Sequence, residues 1–364
     1  MHLGGPDMAA TRATIVCMPS FRLRAARLAG AAALAGAALA PAAHAAPTVL
    51  SAERAATPVA AWNGTVAWSH FDAAAGGYEL VVSRGGAAPQ PLAVTPSPVP
   101  FDVDLGTNRN GSAYAVYTRC TTPATSPAGA PARGTGCDVY RTSLATGVEQ
   151  RLESLSSTSW DERDPTIFRG EIAFIRTETH GGVTSDVLRI ANTTAGARGT
   201  RALVKVPASS GGLAAPELSF DRIAYVRTGR GRIGFGERVV HVRSLLTRGR
   251  DRAVYTATSG GANAAGVTGI SLTEDLRAFT WARTNNGSGA GNRLVRYTVG
   301  TGRLEYALGS SRYVSTAWAG AALGMAVTVD DSGTGTCFAN VADPPERTLC
   351  RVELTGPVSW NARP

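Results

Sequence analysis

Phe168-Arg169-Gly170, leading through Glu171 into Ile172-Ala173-Phe174-Ile175-Arg176, decides the fold. A bulky residue and a Gly-containing turn open a strand that runs aliphatic, Ala, aromatic, any residue, basic. The same phrase recurs along the chain. Trp62-Asn63-Gly64 leads into Val66-Ala67-Trp68-Ser69-His70, and Gly111 into Tyr114-Ala115-Val116-Tyr117-Thr118-Arg119. Phe220-Asp221 leads into Ile223-Ala224-Tyr225-Val226-Arg227, and Leu276 into Ala278-Phe279-Thr280-Trp281-Ala282-Arg283. Trp318-Ala319-Gly320 leads into Leu323-Gly324-Met325-Ala326-Val327, the most divergent copy. Aligned on the aromatic or Met position, the copies stand at 68, 117, 174, 225, 281 and 325.

A period of about 50 residues with about four strands per unit is the signature of a propeller blade. Further β-rich runs follow each copy: Tyr78–Ser83, Cys137–Leu144, Asp186–Ala191, Arg238–Leu245, Arg293–Val299 and Leu349–Leu354. A fourth run follows in most units, such as Arg201–Val206 and Arg303–Leu308. The expected fold is therefore all-β: a six-bladed β-propeller of four-stranded antiparallel blades. One blade cannot bury both its faces, but stacked blades bury them against each other, with the shared aromatics supplying much of the surface. Pro357–Pro364 is brief for an outer strand of blade six. Thr48–Ser51 is the candidate to supply it, which makes residues 46–57 a closing segment and 58–364 a single propeller domain.

Residues 1–45 read as a removed signal peptide. Arg22, Arg24 and Arg27 precede an apolar run from Leu28 to Leu39, and Ala43-His44-Ala45 is an A-x-A cleavage site. That run is too short for a stable bilayer span, and no later stretch is long and apolar enough. The segment carries four Arg and one Asp, so the remainder keeps +6 of the chain's +9. Such a charge permits anionic partners without requiring them. Export argues against nucleic acid and places the chain in the periplasm, the wall or the medium.

Cys120, Cys137, Cys337 and Cys350 lie beyond the signal peptide. The short-range pairing, Cys120 with Cys137 and Cys337 with Cys350, is favoured because each pair flanks a polar loop between two strand-like runs. Neither pair has C-x-x-C spacing or a nearby His, so zinc is not expected. Each bridge would then join the second and third strands of its blade.

At this point the chain resembles the TolB-like, WD-like propeller repeats of bacterial envelope proteins. Pro165-Thr166-Ile167-Phe168-Arg169-Gly170, Ile172-Ala173-Phe174 and Asp186-Val187-Leu188 carry the likeness, with partial matches at Pro216, Ile223-Ala224-Tyr225 and Cys137-Asp138-Val139-Tyr140. The resemblance spans about residues 58–357 and implies a protein-interaction module.

His70, Arg119, Arg176, Arg227 and Arg283 each sit two residues past the aromatic. Positions i and i+2 of a strand share a face, so circular repetition puts all five at one level, near one rim. There they would form a basic crown for an anionic partner. The competing reading is local pairing of each base with a carboxylate or carbonyl of a neighbouring blade. Asp102 and Asp104 fall on one side of an inner strand and are candidates to line the channel. Asp161, Glu162 and Asp164, with Arg163 among them, read as a solvated turn.

Only His70, His180 and His241 follow the signal peptide, and they are scattered. No G-x-S-x-G elbow, P-loop or dinucleotide fingerprint is present, so no cofactor or catalytic set is expected. The leading reading is an exported, monomeric, non-enzymatic propeller that binds an envelope or extracellular protein or an anionic glycan. The alternatives are a secreted propeller hydrolase or lyase acting on glycans, with carboxylates on inner strands, and a structural surface protein.

Overall fold

The computed structural model describes residues 46–122, 134–192, 199–230, 236–246, 251–258, 265–285, 292–307, 312–332, 337 and 348–362. The first strand is β1 (Thr48–Glu53). Blade one follows with β2 (Val59–Trp62), β3 (Thr65–Asp72), β4 (Gly77–Arg84) and β5 (Gln90–Pro91). Blade two holds β6 (Asp104–Thr107), β7 (Ala113–Thr122), β8 (Thr135–Ser143) and β9 (Glu149–Arg151). Blade three holds β10 (Asp161–Phe168), β11 (Glu171–His180), β12 (Val183–Asn192) and β13 (Arg201–Pro207). Blade four holds β14 (Gly211–Ser219), β15 (Arg222–Arg230), β16 (Gly236–Ser244) and β17 (Arg252–Thr258). Blade five holds β18 (Ala265–Leu272), β19 (Ala278–Asn285), β20 (Arg293–Thr298) and β21 (Leu304–Ala307). Blade six begins β22 (Tyr313–Gly320), β23 (Gly324–Asp330) and β24 (Cys350–Leu354), and β25 (Trp360–Ala362) ends the series.

Each blade is an antiparallel sheet in chain order, and the innermost strands β2, β6, β10, β14, β18 and β22 touch one another around a closed ring. The chain is a six-bladed β-propeller. The repeated phrase is the inner hairpin of each blade. In blade three its turn residues Arg169 and Gly170 have φ of 48° and 79°, and in blade one Asn63 and Gly64 have 45° and 75°. Two left-handed residues match the twist of the strands they join, which is why Gly recurs there.

The repeated aromatics Trp68, Tyr117, Phe174, Tyr225 and Trp281 are all fully buried. Each packs on the preceding blade: Tyr117 with Phe101 and Leu80 of the blade-one side, Tyr225 with Leu188 and Val206 of blade three, Trp281 with Val240 of blade four. Gly106 has no side chain for a close reason: a Cβ there would lie 2.1 Å from the Ile167 carbonyl oxygen, where β6 crosses β10.

The two extremes of the described chain each add an outer strand to a blade. β1 pairs with β24, Thr48 opposite Leu354 and Glu53 opposite Cys350, as the outermost strand of blade six. Trp360–Ala362 is long enough to form a strand, but it adds to β21 as a fifth strand of blade five. Blade six also corrects the alignment of its repeat. Trp318 pairs with Met325 as Ile167 pairs with Ile172, so Val327, not Met325, takes the aromatic position. A bulge after Trp318 and a three-residue turn displace the copy by two residues.

Both short-range disulfides are present. Cys120–Cys137 joins directly opposed residues of β7 and β8, and Cys337–Cys350 ties a residue beyond β23 to the start of β24. Closing loops of this length contributes about 3 kcal/mol each in the chain-entropy account. Two disulfides are consistent with an oxidising, extracytoplasmic compartment. Among the described residues no helix is long and apolar enough to cross a membrane.

Candidate functional site

The basic residue of each repeat lies one strand pitch beyond the aromatic, toward the face that carries the loops between second and third strands. On that face the aromatic and the base together make a slot at the interface with the preceding blade. What fills the slot differs from blade to blade.

In blade one the filler is Glu53, delivered by β1 and only 2% exposed. The Trp68 Nε1–H donates to Glu53 Oε1 at 2.8 Å, Ser51 Oγ donates to it at 2.6 Å, and His70 Nδ1 lies at 3.2 Å. The Glu53 hydrogen bond raises the His70 pKa above its ordinary value, against the opposing pull of burial. In blade two Glu149 of β9 fills the slot. Tyr117 Oη donates to Glu149 Oε1 at 2.5 Å and Arg119 Nε at 2.6 Å, while Arg119 Nη2 reaches the Thr95 carbonyl at 2.7 Å. In blade three Arg176 Nε donates to Glu162 Oε1 at 2.7 Å and Nη2 to the Leu155 carbonyl at 2.6 Å. Three of the five bases are therefore tied to local carboxylates, two of them also to linker carbonyls.

Blades four and five depart from this. Tyr225 Oη donates to Asp251, which also receives His241 Nδ1 at 3.1 Å, but Arg227 is exposed and has no hydrogen bond or ion pair among the described residues. In blade five Trp281 Nε1 and Arg283 Nε are both buried without a hydrogen-bond partner among the described residues. Arg293, exposed on β20, stands directly opposite Arg283. Blade six has the apolar pair Val327 and Val329 instead.

The acidic group before blade three is not a turn. Asp161, Glu162 and Asp164 lie on inner strand β10, and Glu162 is 0% exposed. Asp161 accepts the Gly136 N–H at 2.6 Å and the Cys137 N–H at 3.2 Å. Burial pushes the Glu162 pKa up to about 7, with Arg176 opposing it. Strand alternation, not local charge density, sends this carboxylate inward.

Asp102 and Asp104 serve the inner belt. Asp102 accepts the Thr118 N–H at 2.6 Å, the Thr118 hydroxyl at 2.6 Å and the Asp164 N–H at 2.7 Å; Asp104 accepts the Ile167 N–H at 3.0 Å. The pattern continues around the ring. Thr166 accepts the Leu218 N–H, Ser271 the Trp318 N–H and Ser315 the Val59 N–H. Each of these side-chain oxygens thus holds the backbone of the next blade. Burial raises both Asp102 and Asp104 to about 6. Glu217 of β14 is raised well above its ordinary value, first by burial and then by the charge of Asp104. Blades two and four are not neighbours in the ring, yet the charge of Asp104 still acts on Glu217. Among the described residues no three His, Cys, Asp or Glu side chains gather as a metal site.

The residues missing from the sequence reading are the fillers Glu53, Glu149 and Asp251, and Glu217. No fixed spacing links them to their bases, so only the fold brings them together.

No protein-family profile matches the chain, and no curated protein does. Similar solved structures include TolB from Acinetobacter baumannii, 14% identical with a TM-score of 0.48. That match covers 73% of this chain and 58% of TolB. A puromycin-hydrolyzing peptidase of Mycobacterium tuberculosis is 12% identical with a TM-score of 0.46, covering 79% of this chain and 53% of the peptidase. The Swd1 β-propeller domain of Myceliophteria thermophila is 10% identical with a TM-score of 0.42, covering 77% and 95%. The chain thus spans little more than half the length of the first two.

Proposed function

We propose that the chain is an exported binding module, without chemistry of its own, that grips an anionic partner with the second-to-third-strand face of blades four and five. One observation supports this: the bases of blades one to three meet Glu53, Glu149 and Glu162, whereas Arg227 and Arg283 have no carboxylate partner among the described residues. An exposed or half-buried guanidinium without a counter-charge is poised for bidentate contact with a carboxylate, sulfate or phosphate group. An envelope or extracellular protein with an acidic surface fits this face. The signal peptide read at residues 1–45 and the disulfides agree with work outside the cytoplasm.

The test is retention of envelope proteins by the immobilised chain 46–364 beside its Arg227→Ala/Arg283→Ala variant, with salt elution. Selective capture by the parent, eluted by moderate salt, supports the reading. Equal capture by both, or retention only on anionic glycans, rejects it.

A second reading, a glycan hydrolase, has one observation in its favour. Asp104, raised to about 6, and Glu217, raised well above its ordinary value, both lie on inner strands, and a general acid needs a carboxyl that holds its proton near neutral pH. Hydrolysis of a polysaccharide panel, lost in Glu217→Gln, would establish it.

A further inference from the structure

Blade five repeats blade one's slot without its filler. Trp281 corresponds to Trp68 and Arg283 to His70, each pair two residues apart on the second strand of its blade. In blade one both donors converge on a single carboxylate oxygen, Glu53 Oε1. In blade two the same convergence is on Glu149 Oε1. In blade five the two corresponding nitrogens are buried and have no acceptor among the described residues. A buried unpaired donor costs about 1–3 kcal/mol, and two in one slot are rare in a native fold.

The register shows why the acceptor is missing. Glu149 lies opposite Thr142, two residues past Tyr140, which lies opposite Tyr117. The same walk in blade five runs from Trp281 to Val295, then to Tyr297, and ends opposite it at Leu304. Leu304 thus occupies the carboxylate's position and packs into the apolar interface of blades four and five. Its neighbour Glu305 is spent on Arg296 at 2.7 Å. The sequence offers no Asp or Glu between Asp251 and Glu274, nor between Asp275 and Glu305.

The surroundings are electropositive. Arg293, opposite Arg283, shares its face, because Val295 two residues on packs in the same interface as Trp281. Arg238 on β16 enters that interface from the other side, as does Val240 two residues on. Like charges directly opposed across a ladder are destabilising. Burial holds the Arg238 guanidinium below its ordinary pKa.

We infer that the Trp281–Arg283 slot, walled by Arg238 and Arg293, binds a carboxylate brought by a ligand, in the role Glu53 plays for Trp68 and His70. The inference rests on the proposed anion-binding face and deepens it by naming the group bound. The carboxylate has two sources, a free organic acid or an Asp or Glu side chain of a partner segment.

The test uses the six Trp indole N–H signals in a proton–nitrogen correlation spectrum of the 15N-labelled chain, with Trp281 assigned by its loss in Trp281→Phe. Sodium acetate is titrated against sodium chloride at equal ionic strength, then a blocked peptide with one Glu. The expected result is a saturable shift of the Trp281 signal with acetate and not with chloride, weakened about tenfold or more in Arg283→Gln. Leu304→Glu, which supplies the carboxylate in cis, should abolish the response. Tighter binding of the peptide assigns the slot to a partner side chain; tighter binding of acetate assigns it to a free acid. An unmoved Trp281 signal, an equal shift with chloride, or an undiminished shift in Arg283→Gln overturns the inference. Partner capture through Arg227 with a silent Trp281 would sink the inference alone. An acetate response without partner capture would sink only the adaptor reading.

Discussion

Blades one and five share a local plan, a tryptophan followed two residues later by a base on the second strand, and they end in opposite electrostatic states. Blade one borrows Glu53 from a strand that completes its neighbour, and every donor in its slot is satisfied. Blade five has Leu304 where a carboxylate would stand, and the Trp281 and Arg283 donors have no partner among the described residues. The difference teaches that a repeat's function is not written in the repeated residues. It is set by what the rest of the fold delivers to them. A satisfied slot is a structural staple; the same slot without its carboxylate leaves a tryptophan and an arginine donor buried and unpaired among the described residues.

The largest expected effect comes from breaking a filled slot around a buried charge. Arg176→Ala strands Glu162, and removing one partner of a buried pair costs about 3 kcal/mol or more. Denaturant unfolding at pH 8 should show that loss. At pH 5 it should shrink, because Glu162 takes a proton at about 7 and no longer needs the guanidinium.

Next, Glu53→Ala turns blade one into blade five. The unpaired Trp68 donor should cost about 1–3 kcal/mol, and added acetate should restore part of the melting temperature. Rescue by acetate but not chloride would sharpen the comparison; no rescue would break it. The His70 share has a definite sign. Its folded pKa is raised, so its contribution is complete at acid pH and is lost as pH rises through that raised value. The gap between parent and His70→Ala should therefore be wider at pH 6 than at pH 8.

The inner belt gives a smaller, whole-molecule effect. Asp102 and Asp104 titrate near 6 in the folded chain and near 3.8 otherwise, so the folded state binds more protons between those values. Stability should fall as pH rises through that window, and Asp104→Asn should flatten the slope in a series of melts. Smallest of all, Arg227→Ala should change stability by less than about 0.5 kcal/mol, since nothing described is bonded to it. A larger loss would mean that blade four's base is a staple after all.

The propeller was legible because its hairpin phrase carries the turn, the buried aromatic and the strand period within a dozen residues. The bases were legible as a position repeated two residues past each aromatic. Their partners were not. Glu53 precedes its base on a strand belonging to another blade, Glu149 follows its base on the outer strand, and Glu162 precedes its base on the inner strand. One chemical role is thus filled from three directions, and no spacing records it. Glu162 was visible but misplaced, because a crowd of charges around Arg163 imitates a surface turn while the strand's alternation buries one of them. Blade six slipped by two residues because a bulge changes register without changing composition.

The closing strand has a kinetic side. Thr48 pairs with Leu354 across a sequence separation far greater than that of any hairpin in the blades, so on loop-closure grounds this pairing is the costliest to form early. Glu53 sits on the same strand, so the pairing that completes blade six also brings blade one's tryptophan its acceptor. One short strand thus serves two neighbouring blades at once, as the edge of the last and the counter-charge of the first.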